Sequence, residues 1–147
     1  VSAADLGLRY RDSEITADEI VTCARLRCRV AKPDEVGETI REVRSRRRKT
    51  QPLSLPSGGS TFANPEGDKA WRLIDAAGLR GVRKGGAQVS ELHSNFIVNH
   101  GGATAADVAH LISLARARVW QRCQVELVRE VSLLGDWRDF DWSGGLQ

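Results

Sequence analysis

Residues 96–119 read Phe96-Ile97-Val98-Asn99-His100-Gly101-Gly102-Ala103-Thr104-Ala105-Ala106-Asp107-Val108-Ala109-His110-Leu111-Ile112-Ser113-Leu114-Ala115-Arg116-Ala117-Arg118-Val119. The run Phe96-Ile97-Val98, closed by a glycine turn, predicts a short buried strand. Thr104 and Asp107, three apart, make a capping-box-like helix start. Val108, Leu111, Ile112, Ala115 and Val119 then recur at helical spacing and predict one buried stripe. A strand feeding an amphipathic helix points to an α+β fold, and the flanking segments extend it.

Downstream, residues 125–134 (Val-Glu-Leu-Val-Arg-Glu-Val-Ser-Leu-Leu) read as a last strand. On it Glu130 shares a face with Val128 and Leu134. An acid on an apolar face is costly unless it is paired or used, so the choice lies between an edge position, a salt bridge and a functional role. The tail after Gly135 carries Trp137, Phe140 and Trp142 among polar residues and takes no assignment. Upstream, Asp68–Ala77 predicts a helix with Ala70, Trp71, Ile74 and Ala77 inward, ended by Gly78. Residues 50–60 (Thr-Gln-Pro-Leu-Ser-Leu-Pro-Ser-Gly-Gly-Ser) form a Pro/Gly/Ser-rich connection and the expected domain boundary. Before it, Pro33-Asp34-Glu35 opens a helix, with Val36, Ile40 and Val43 as its buried stripe. Residues 19–31 alternate apolar and cationic side chains and read as a half-buried strand. Leu6, Leu8 and Tyr10 suggest a shorter strand before it.

Composition narrows the function classes. The 147 residues carry a net charge of +3, and 28% of them are charged, as in an ordinary globular protein. No apolar run approaches the roughly 18 residues that span a bilayer. The N-terminus has neither a basic nor an apolar signal region, so no membrane or secretory destination is expected. The chain starts at Val1 and contains no Met, and it is expected to begin inside a longer protein. The charge excess lies in residues 1–60, mostly in Arg41–Lys49, where six of nine residues are cationic. At a helix C-terminus these cations suit the macrodipole. They read either as a solvated helix face or as a phosphate contact. With little aromatic interleaving, nucleic-acid binding is not expected. Cys23, Cys28 and Cys123 are odd in number and lack zinc spacing, so buried free thiols are expected and no metal site.

Nine of the 14 glycines fall between Gly58 and Gly102. Gly58-Gly59-Ser60-Thr61, Gly85-Gly86-Ala87-Gln88 and Asn99-His100-Gly101-Gly102 are tight turns or ligand loops. None is a Walker loop, a Rossmann fingerprint or a Gly-x-Ser-x-Gly elbow.

Several segments follow one another in a recognisable order. These are Tyr10-Arg11-Asp12-Ser13, Gln51-Pro52, Pro56-Ser57-Gly58-Gly59-Ser60-Thr61-Phe62-Ala63-Asn64-Pro65 and Ala70-Trp71-Arg72-Leu73-Ile74-Asp75-Ala76-Ala77-Gly78-Leu79. Gly85-Gly86-Ala87-Gln88-Val89-Ser90, His93-Ser94-Asn95-Phe96-Ile97-Val98-Asn99 and Glu130-Val131 complete the set. From about Asp5 to Trp137 the chain resembles the UDP-N-acetylenolpyruvoylglucosamine reductase family, also called UDP-N-acetylmuramate dehydrogenase.

The resemblance implies a cytoplasmic flavoenzyme of peptidoglycan synthesis, serving cell-wall biogenesis, cell shape and cell division. It implies FAD and NADPH as cofactors and UDP-N-acetylglucosamine enolpyruvate as substrate. By motif position, Ser60 matches the proton-donating serine, Arg11 the arginine at the substrate carboxylate, and Glu130 a glutamate near the same group. Tyr10, Asn64, Lys49 and His93 match substrate-binding positions. Asn64 and Lys49 lie toward the diphosphate and His93 toward the nucleotide. Residues 1–50 resemble the end of an FAD-binding domain whose N-terminal part is missing from the chain. Residues 57–137 resemble a small α/β substrate-binding domain, followed by a tail over 138–147. The short Tyr10–Asp18 segment fits the subtype without a tyrosine-bearing insertion. Leu92, Lys84, Gln124 and Val128 depart from the family pattern beside the site motifs. A monomer is expected, with no activity from these residues alone. The alternative reading is a non-catalytic UDP-sugar-binding module.

Overall fold

The computed structural model describes residues 1–144, so residues 145–147 of the expected tail lie outside the described residues. The chain forms two compact units, Val1–Glu42 and Val43–Gln147. In the first, a single 3₁₀ turn over Ala4–Leu6 ends at Gly7 with φ 51°. Arg9 and Asp12 then exchange backbone hydrogen bonds of 2.9 and 3.3 Å around a tight turn that holds Arg11 at φ 58°. The short strand expected at Leu6, Leu8 and Tyr10 is therefore a 3₁₀ turn and a hairpin-like bend.

Residues 19–31 form no strand, and every one of them is exposed. The alternation is real but alternation supplies no partner. A strand's hydrogen bonds lie between segments, and a lone ribbon is not stable in water. Cys23 and Cys28 are exposed with it, contrary to the expectation of buried thiols, and Cys123 is half-buried.

Helix α1 runs Pro33–Thr50, with Asp34 and Glu35 in its first turn and Arg47, Arg48 and Lys49 in its last. Its ends match the sequence reading and complement the macrodipole. Its stripe does not: Val36, Ile40 and Val43 stay 45%, 45% and 40% exposed.

The second unit holds a four-stranded antiparallel sheet, order β1-β4-β3-β2, built from Ser57–Ser60 (β1), Arg83–Lys84 (β2), Ala87–Val89 (β3) and Phe96–Asn99 (β4). The predicted buried strand at Phe96–Val98 is β4. The register pairs Ala87 with Asn99, Gln88 with Val98, and Val89 with Ile97. Directly opposed residues share a face, so the sheet has two chemically different sides. Ala87, Val89 and Ile97 join the core with α2 (Ala70–Ala76) and α3 (Ala105–Cys123). Ile74, Leu111, Ile112 and Val119 fill that core, together with Phe62 and Leu127 from the loops. The opposite side carries Gln88 and Val98.

Helix α3 begins as predicted. Thr104 Oγ1 accepts from Asp107 N at 3.1 Å, and Asp107 Oδ2 accepts from Thr104 N at 2.9 Å. Helix α2 is shorter than predicted and starts at Ala70, whose N–H donates to Asn64 Oδ1 at 3.1 Å. Trp71 is 39% exposed, not inward. Ala70, Leu73, Ile74 and Ala77 follow the i, i+3, i+4, i+7 stripe, and Trp71 lies about 100° off it. Gly86 allows the β2–β3 turn to dock on the chain before α3. A Cβ there would lie 2.4 Å from both Ala103 N and Gly101 O.

The strand expected over 125–134 is reduced to one bridge, Phe62 to Arg129. Leu127 is buried, while Val128 and Leu134 are 64% and 88% exposed. The face that Glu130 shares with them is therefore wet, and the desolvation argument for Glu130 fails. In the tail, Phe140 packs on Trp142 at 4.6 Å between ring centroids, and Arg129 lies over Trp142 at 5.3 Å. Among the described residues no helix is long and apolar enough to cross a membrane.

Candidate active site

Ser60 ends β1 and pairs with Phe96, across from a register shift between Ser57 and Ser60. Its opposite number lies on β4 two residues before Val98, so Ser60 belongs to the side of the sheet turned away from the helices. Gly59 precedes it at φ 82°, and a Cβ there would meet nothing within 4 Å. Ser60 therefore sits beside open backbone where a ligand can approach. At Gly85–Gly86, by contrast, the space is filled by Asp107 and by the backbone of residues 101–103. That turn is structural, not a ligand loop.

The segment after Ser60 is gripped from both sides. Glu130 N donates to Thr61 O at 2.9 Å, and Ala63 N donates to Val128 O at 3.0 Å. Glu130 is thus brought to within one residue of Ser60 along the backbone. On the other side Thr61 N donates to Asn95 O at 2.7 Å. The Asn95 side chain accepts from Phe62 N at 3.0 Å and donates to Phe62 O at 2.8 Å. Asn64, four residues past Ser60, is half-buried and caps α2 through Ala70 N.

His93 lies between Trp71, at 6.4 Å between ring centroids, and Phe96, at 4.9 Å and edge-on. Burial is the main cause that holds its imidazole below the ordinary value of 6.5, with the Arg80 charge acting in the same direction. Its own backbone hydrogen bond and Asp75 oppose this. The ring is neutral at pH 7, and its Nδ1 is buried with no protein partner. Arg80 binds Asp75 and the Glu91 carbonyl, and Asp75 Oδ1 is also buried without a partner. The rings of Trp71 and Phe96 thus lie against His93, Arg80 holds the neighbouring Asp75, and one buried polar atom on each of His93 and Asp75 has no hydrogen-bond partner.

Beside this cluster, a cavity of about 280 Å³ lies under Pro52 and Leu55 and is lined by Arg83, Gln88, Leu92 and His100. Gln88 is buried, and its amide bonds Gly81 O, Glu91, Arg83 and His100. This network is satisfied internally.

Tyr10 and Arg11 belong to the first unit, with the Arg11 guanidinium 5.8 Å from the Tyr10 ring centroid. Lys49 is exposed in the last turn of α1. Sequence reasoning assigned no role to Asn95, Arg80, Asp75 or Trp71. Asn95 was legible only as a polar residue just ahead of a buried strand. Among the described residues no cluster of His, Cys, Asp or Glu has metal-binding geometry.

Comparison with known proteins decides the family. A family model for the C-terminal domain of UDP-N-acetylenolpyruvoylglucosamine reductase matches residues 51–134. The chain belongs to that reductase family. The reductase from Acidiphilium cryptum is 48% identical over 134 residues, which cover 91% of this chain and 43% of the relative. That from Anaeromyxobacter is 47% identical over 147 residues, covering 98% and 45%. The crystal structure of the Thermus caldophilus reductase superposes with a TM-score of 0.72 at 40% identity, covering 86% of this chain and 46% of that one. The chain spans less than half the length of these reductases.

Proposed function

We propose that the protein carrying this chain reduces UDP-N-acetylglucosamine enolpyruvate to UDP-N-acetylmuramate, and that residues 57–137 form its substrate-binding domain. FAD, reduced by NADPH, supplies the redox chemistry when bound. Its cradle is assigned mainly to polypeptide outside these residues, with residues 1–50 closing it. The open backbone at Gly59, next to a hydroxyl, fits the close approach of a planar group to Ser60.

The chain's own part follows from the substrate's chemistry. Addition of hydride to the outer alkene carbon leaves negative charge on the neighbouring carbon and its carboxylate. Arg11 holds that carboxylate in a bidentate pair, a role suited to a guanidinium. Glu130 lies near the same group. Ser60 delivers a proton to the carbanionic carbon, which is basic enough to accept it from a hydroxyl. Asn64 and Lys49 contact the diphosphate. The nucleotide end lies against His93, where the unpartnered Nδ1 and the neighbouring Arg80 offer hydrogen bonds. Work in the cytoplasm as a monomer accompanies this reading.

The observation that carries it is the convergence of Ser60 and Glu130 at Thr61, from segments seventy residues apart in a chain of this family. The test separates the two half-reactions of the FAD-loaded enzyme. Ser60→Ala leaves flavin reduction by NADPH at its normal rate and slows flavin reoxidation by the enolpyruvyl substrate by about 10²–10⁴-fold. Unchanged reoxidation in that variant rules out Ser60 as the donor. The 147 residues alone are expected to show no turnover, and UDP-sugar binding without FAD would favour a binding module.

A further inference from the structure

From the bonding around Phe62 we infer that Asn95 is a positioning residue that fixes where Ser60 presents its hydroxyl. This rests on the reading of Ser60 as the proton donor. Asn95 is only 4% exposed, and a buried side-chain amide must find partners for both of its ends. Both go to one residue: Oδ1 accepts from Phe62 N–H and Nδ2 donates to Phe62 C=O. A neighbouring strand would pair a residue in this two-bond way. The side chain of Asn95 therefore stands in for a strand residue, at the point where β1 has ended and β4 has not yet begun.

Its main chain completes the grip, because Asn95 O accepts from Thr61 N–H. Ser60 is thus followed by two residues bound to a single asparagine, and Phe62 anchors the far end with its ring 2% exposed in the core. The Glu130 bond lands on the opposite edge of the same short segment, at Thr61 O. Without the amide, Phe62 loses both of its bonds on that edge, and only the main-chain bond from Thr61 N–H to Asn95 O still holds there the segment that links Ser60 to the Glu130 bond. A displacement of about 1 Å at a reacting group costs roughly 10²-fold in rate. Asn64 and His93 are held by separate contacts, to Ala70 N and to the rings of Trp71 and Phe96. The defect therefore falls on turnover and not on substrate capture.

The test uses Asn95→Leu, which keeps the branching and removes both side-chain bonds. In the full chain, amide hydrogen exchange at Phe62 rises at least tenfold over wild type, while Val89, Ile97 and Leu111 exchange as before. In the FAD-loaded enzyme kcat falls at least tenfold, KM stays within twofold, and the solvent deuterium isotope effect on flavin reoxidation increases. Faster exchange at Phe62 with wild-type kcat overturns the inference, as does unchanged exchange. If Asn95→Leu fails to fold, Asn95→Asp decides. It keeps the acceptor for Phe62 N–H and sets a carboxyl oxygen against Phe62 C=O in place of the donor, so the same kcat-against-KM split appears, and a wild-type kcat refutes the proposal. Ser60→Ala run in parallel separates the two ideas. Full activity there defeats the serine reading, whatever the exchange data show for Asn95.

Discussion

Gly86→Ala tests the docking of the β2–β3 turn, because it places a methyl group against backbone on the chain before α3. The added Cβ falls 2.4 Å from Ala103 N and Gly101 O and 2.8 Å from Gly102 C. All three are backbone atoms, so no side chain can swing away. Ordinary contact begins near 3.4 Å, and the two chain segments must part by a full ångström. That separation breaks the 2.9 Å hydrogen bond from His100 N to Gly86 O. Overpacking costs about 1–3 kcal/mol and the lost bond about 1 kcal/mol, for a sum of about 3 kcal/mol. In a unit of this size, the midpoint of thermal unfolding falls by roughly 14 °C. All four tryptophans lie in the second unit, so intrinsic fluorescence in urea or on heating reports its unfolding. Gly59→Ala is the matched control. It carries φ 82° but meets nothing within 4 Å, so only the left-handed backbone cost of about 1–2 kcal/mol applies. A Gly86→Ala loss below about 0.5 kcal/mol, or no larger than that of Gly59→Ala, refutes the contact reasoning.

Thr104→Ala removes the α3 capping box and lowers stability by about 1 kcal/mol in urea titration. Asn64→Ala uncaps Ala70 N and speeds amide exchange in the first turn of α2 while leaving α3 unaffected. His93 has a folded value below its unfolded 6.5, so its neutral form is the one that suits the fold. The stability tied to it is complete above pH 6.5 and is lost as pH falls toward and through the folded value. His93→Phe, which keeps the ring contacts, flattens the stability profile over that range, and an unchanged slope counts against it.

Much of this fold was legible because it is local. The ends of α1, the capping box of α3 and the buried run of β4 are written in neighbouring residues, and each formed where the pattern placed it. The site was legible only through a resemblance spanning many motifs, because no single spacing singles out a serine at a strand end. Readings that required a partner went astray. The alternation in residues 19–31 marks two faces but brings no strand to pair with. The stripe Val36, Ile40, Val43 marks a side of α1 and brings nothing to cover it. Glu130 was argued from its neighbours in sequence, whereas Leu127 takes the core and leaves Val128 in water.

By itself the sequence determined the α+β class, the ends of α1 and the capped start of α3, since these depend on propensity, capping and periodicity over a few positions. Tertiary structure alone decided which side of the sheet faces the helices and which carries Gln88 and Val98, and that Glu130 meets Thr61. It alone decided that an asparagine side chain completes the strand after Ser60. Those outcomes depend on contacts between residues far apart in the chain, where burial and hydrogen-bond satisfaction are settled only when the segments meet.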